Sequence, residues 1–148
     1  MNYILPILLA IAAGCGLSLQ AGINGGLRTA TGAGVWAAFV SFAIGTIGLF
    51  CFTLPVKSHW PSMEAVQAAP WWVWTGGFIG AAYVYSTIAV APRLGATTFF
   101  GIVIAGQVIT SLFFDHYGML GFPLHRINSM RMVGVALLIA GAYLVRRF

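Results

Sequence analysis

Charge is what this sequence has least of. Asp and Glu occur twice, as Glu64 and Asp115, against seven Lys and Arg, and charged residues together make up 6% of the chain. A water-soluble domain carries roughly a quarter charged residues, so a solvated globular surface is excluded. Cysteine is equally sparse. Cys15 and Cys51 fall inside apolar runs without metal-type spacing and read as small packing residues rather than a disulfide. His59, His116 and His125 show no ligand spacing, which argues against a zinc site. Asp115 and His116 are adjacent and point to different sides of a helix, and no serine stands beside them as a nucleophile. The stretch from Gly22 to Gly26 lacks the Gly-Lys-Ser/Thr ending of a phosphate loop. Neither an enzyme, a cofactor site nor a metal centre is expected. Met1-Asn2-Tyr3 offers no positive region of the kind that opens a signal peptide, although Ala12-Ala13-Gly14-Cys15 faintly resembles a lipoprotein cleavage box. The first apolar segment is therefore expected to stay in the bundle as a helix.

What remains is apolar. Hydrophobic residues make up 60% of the chain and the mean hydropathy is +0.95. The net charge of +5 is scattered singly between apolar runs, as helix-end anchors at lipid headgroups rather than a nucleic-acid surface. A span of the hydrocarbon core needs about 20 apolar residues. Five stretches qualify, predicting helices over about 3–22, 34–54, 70–91, 96–114 and 129–146. A polar, glycine-rich connection from Gln20 to Arg28 follows the first, and Val56 to Ala69 forms the longest hydrophilic stretch. Pro70 suits the first position of the third helix, where its missing N–H costs nothing. Pro92-Arg93-Leu94-Gly95 reads as a tight connector that makes the third and fourth helices an antiparallel hairpin, and Asp115 to Asn128 as a loop. The expectation is one all-α transmembrane domain over 1–148.

Five spans put Lys57, Arg126 and Arg131 on the N-terminal side and Arg28, Arg93, Arg146 and Arg147 on the other. Three against four is almost no bias, and the positive-inside rule needs a clear excess to fix orientation. Dual topology is the reading, with a weak preference remaining if Arg28 or Arg131 counts as part of a helix.

Polar residues within the spans are few. Gln107 lies near the middle of the fourth helix, with Ser111 and Asp115 following at four-residue steps on one face. Gln20, Asn24 and Arg28 repeat that spacing if the first helix continues through the glycines. Such stripes face inward, because lipid satisfies no polar group. They line a solute pathway or hydrogen-bond between helices. Arg28 and Asp115 are candidates for gating or coupling, or snorkelling anchors. Tyr83, one turn below Gly80, and Ser41, in a small-xxx-small pair with Gly45, complete the candidate substrate-binding set. Trp71, Trp72 and Trp74 read as an interfacial belt, with a cage for a cationic ligand as the sharper alternative.

Gln20-Ala-Gly-Ile-Asn24-Gly-Gly-Leu-Arg28, then Ser41-Phe42 with Gly45, Pro70-Trp-Trp with Gly76-Gly77 and Gly80, Pro92-Arg-Leu-Gly95, Gly106-Gln107, Asp115-His116 with Gly118, and Arg131 with Gly134 run in order along nearly the whole chain. Together they resemble the YdcZ-type inner-membrane proteins of bacteria, in the drug/metabolite transporter superfamily. The resemblance implies a multi-pass protein of the bacterial inner membrane with five helices, about half of a ten-helix transporter. It therefore implies a homodimer, which balanced charge makes antiparallel, with inverted halves around a shared site. The related small multidrug-resistance proteins carry a buried first-helix glutamate, whereas here that helix offers only Gln20 and Asn24. A neutral amide cannot exchange protons for cationic drugs, so a small neutral or anionic polar metabolite is the expected solute. A quaternary-cation exporter, a lipid-linked substrate flippase and a non-transporting subunit that binds a partner are the alternatives. In an antiparallel pair, Arg28 of one chain would share a membrane side with Asp115 of the other, and a contact between them is expected.

Overall fold

Gly32 ends the first helix and sets the register of the second. In the computed structural model, which describes residues 3–55 and 60–148, α1 spans Ile4–Thr31 and α2 spans Gly34–Thr53. Between them Gly32 takes φ 73°, and its N–H donates to the Arg28 carbonyl, the left-handed stop that glycine adopts without a Cβ clash. The expected glycine-rich connection after residue 22 is thus helix. In water each glycine would weaken a helix by roughly 1 kcal/mol. In lipid every backbone group must find a partner, and the helix is the local way to provide one.

A short helix, α3 (Met63–Ala68), begins where the Ser62 hydroxyl accepts from the Ala65 N–H at 3.1 Å, and Glu64 sits in its positive first turn. The hydrophilic stretch thus contains a helix; Lys57 and His59 lie outside the described residues. The third span opens as a 3-10 turn, Trp71–Thr75, and continues as α4, Gly76–Leu94. Pro70 caps this span from outside, in extended backbone, rather than forming its first residue. Pro92, expected at the helix end, lies inside α4. Only Gly95, at φ 84°, separates α4 from α5, Ala96–Tyr117. The helix α5 runs past its expected end at 114, so Asp115 is helical. Gly118 (φ 61°) is the first position able to stop it. A 3-10 turn, Met119–Gly121, then leads to α6, Ser129–Arg147, whose Asn128 side chain accepts from the Arg131 N–H at 2.9 Å.

Five segments are long and apolar enough to cross a membrane, and no strand occurs among the described residues. The chain divides into two compact units, one ending at Pro92 and one beginning at Arg93. In the first, Ala37 and Ala38 of α2 meet Val84 and Ile88 of α4, with Leu27 of α1 and Tyr83 packed against them. Small residues permit this approach: a Cβ on Gly34 would come within 3.3 Å of Ile88, and one on Gly80 within 3.5 Å of Phe42. In the second unit, α5 packs on α6, and a Cβ on Gly101 would lie 3.5 Å from the Ala142 Cβ. Most apolar side chains of both units stay exposed, as lipid or a further protein surface allows.

Candidate functional site

The α1 stripe divides along its length. Burial on α1 is confined to Ala21, Asn24, Gly25 and Arg28, an i, i+3, i+4, i+7 pattern, with Leu27 beside them. Asn24 is 3% exposed, and its Nδ2 has no hydrogen-bond partner. Arg28 is half-buried and donates from Nη1 to the Ile88 carbonyl at 2.9 Å. Gln20, one turn before Asn24, is exposed, because α1 packs within its unit only near its C-terminal end. The expected inward stripe therefore holds at Asn24 and Arg28 and leaves the unit at Gln20. Ser41 on α2 is half-buried, and Tyr83 belongs to the packed core.

Between α2 and α4 lies a cavity of about 620 Å³, floored by Ala38, Gly77, Ala81 and Ala82 and walled by Phe39, Phe42, Trp74, Phe78 and Tyr85. It carries no charged side chain. Tyr85, not Tyr83, reaches it, and of the three opening tryptophans only Trp74 does.

Among the described residues, an ion pair forms in the second unit. Arg131 Nη1 donates to Asp115 Oδ2 at 3.1 Å and to the His125 carbonyl at 3.2 Å. The His125 N–H donates to the Asp115 carbonyl at 2.7 Å, and the Ile127 N–H donates to His116 Nδ1 at 3.1 Å. The end of α5, the following turn and the start of α6 are stitched together by these contacts. Ser111, Asp115 and Arg131 line a cavity of about 490 Å³ with Val108, Gly134 and Leu138. Sequence reading singled out Ser111 and Asp115 but not Arg131 as part of this group. The available signal was that Arg131 stands in the first turn of the helix following Asp115, where a hairpin brings the two together. Asp115 and Arg28 each have a partner within their own chain.

Gln107 sits one turn before Ser111, midway along α5, and its side chain is exposed with no hydrogen bond among the described residues. It lines none of the cavities described above. A mid-span amide left facing hydrocarbon would have one acceptor and two donors unsatisfied, a cost on the order of several kcal/mol.

Residues 5–144 match the family described as "Putative inner membrane exporter, YdcZ". The chain is similar to "Inner membrane protein YdcZ" of Escherichia coli (strain K12), at 30% identity over 148 residues, covering 99% of this chain and 98% of the relative. No solved structure matches it.

Proposed function

We propose that this chain, which belongs to the YdcZ family of inner-membrane proteins, is a secondary transporter that moves a small polar, neutral or anionic metabolite by alternating access in an antiparallel homodimer. It is a multi-pass inner-membrane protein, and export is the activity that the family description carries.

The observation that carries the reading is Gln107. Within the second unit this mid-span amide is exposed, and Gln20 is likewise exposed on α1 of the first, neither side chain hydrogen-bonded among the described residues. Either a second copy or a polar solute must meet them. A second copy supplies both, because two sets of five helices enclose a cavity and shield it from lipid. The exposed face of α1 agrees: residues 4–20 are all exposed, and a Cβ on Gly14, Gly16 or Gly22 would touch nothing within 4 Å. Such small-residue surfaces suit close approach of another helix.

Charge balance supports opposite insertion. Arg28 and Arg131 lie within helices and are engaged with Ile88 and Asp115. Without them, Lys57 and Arg126 stand against Arg93, Arg146 and Arg147. Two against three, like three against four, leaves an excess of one, too small to fix orientation.

The aromatic cavity between α2 and α4 favours a second reading. Rings without a nearby carboxylate attract a lipophilic cation through their faces, and a quaternary-cation exporter would use that cavity. Purified protein reconstituted alone into liposomes separates the readings. Counterflow of small carboxylates or neutral polar solutes is expected, without counterflow of tetraphenylphosphonium. Movement of the cation alone would reverse the substrate class. No movement of any solute until a partner protein is added would make the chain a scaffold.

A further inference from the structure

Pro92 lies in the last turn of α4, where an ordinary residue would donate its N–H to the carbonyl of Ile88, four residues back. Proline has no N–H, and its ring crowds that same carbonyl. Ile88 is 1% exposed, so water is poorly placed to supply the missing donor. The donor comes instead from another helix. Arg28 of α1 directs Nη1 to the Ile88 carbonyl oxygen at 2.9 Å. Gly34, at the start of α2, lets α2 approach Ile88 closely beside this side chain. A Cβ there would come within 3.3 Å of Ile88 Cγ2 and 3.9 Å of Arg28 Cδ.

We propose that Arg28 is a positioning residue that closes the break Pro92 makes in the α4 hydrogen-bond ladder. It latches the last turn of α4 to α1, and release of the guanidinium leaves that turn hinged at Pro92. This assignment is independent of which solute, if any, the protein moves. It gives the gating role expected of Arg28 a specific mechanism: a carbonyl, rather than a carboxylate, holds the arginine.

The test is a double-mutant cycle on the full-length protein in lipid nanodiscs. It combines Arg28→Ala and Pro92→Ala, with thermal midpoint and amide exchange over residues 89–94 as readouts. Arg28→Ala alone should lower the midpoint and speed exchange in that turn by about tenfold, the order expected when a buried carbonyl loses its donor. With Pro92→Ala already present, the restored backbone N–H takes the Ile88 carbonyl. The same Arg28→Ala change should then have less than half its former effect on both readouts. A general structural role for the arginine would not show this rescue. Equal effects of Arg28→Ala in the two backgrounds overturn the proposal, as would failure of Pro92→Ala to fold. If Arg28→Ala does not fold, Arg28→Lys, with a single ammonium in place of the fork, is read by the same comparison.

Discussion

Gln107→Ala should reduce solute counterflow about tenfold to a hundredfold while the protein folds, dimerises and melts as before. The magnitude follows from the loss of a hydrogen bond to a desolvated solute, about 1–3 kcal/mol, with each 1.4 kcal/mol worth about a factor of ten. Stability should be spared because the Gln107 side chain is exposed and makes no hydrogen bond among the described residues that the substitution would remove. Alanine also preserves α5, being the strongest helix former. Counterflow measured beside cross-linking of the dimer checks both halves of the prediction. Full activity would remove Gln107 from the solute path. Loss of the dimer together with transport would make the amide a link between helices instead.

The second large effect is expected on stability, at the other charged locus. Arg131→Ala should destabilise the protein by about 1–2 kcal/mol. Removing one member of a fully buried pair costs about 3–5 kcal/mol. Here the side chains are 33% and 27% exposed, so water takes up part of the orphaned charge. The remainder also includes the Arg131 bond to the His125 carbonyl, which helps hold the turn between α5 and α6. Asp115→Asn should cost less, because the amide oxygen still accepts from the guanidinium. The charge-reversed pair, Asp115→Arg with Arg131→Asp, should recover part of the loss. Thermal unfolding in nanodiscs measures all three, and an Arg131→Ala variant as stable as the parent would show that the pair contributes nothing.

The five spans were legible because lipid imposes a length and an apolarity that a single sequence displays openly. The interruptions were harder to read. Glycines 22, 25 and 26 look like a connection by soluble-helix propensities, yet the backbone closes into α1 because hydrocarbon offers no other partner. Pro92 looks like a helix end because its own sequence neighbourhood cannot reveal an arginine 64 positions earlier that compensates for it nearby. Asp115 was visible as a rare acid, but its partner depended on how the α5–α6 turn folds back. The four-residue spacing of Gln20, Asn24 and Arg28 was correct as helix geometry. Which of the three would be covered was not contained in that spacing, since it depends on where α1 meets α2 and α4. Asn24 went inside and Gln20 did not.

That difference leads back to the central claim. Exposed amides on α1 and α5 and open glycine faces on α1 are tolerable in a membrane if another copy, turned over in it, lies against them. A tag at Phe148 that becomes fluorescent or reacts on only one side of the inner membrane reads orientation directly. The account predicts that comparable populations carry residue 148 on each side, and that cross-linked dimers contain one chain of each kind. Residue 148 confined to a single side in every copy would contradict it.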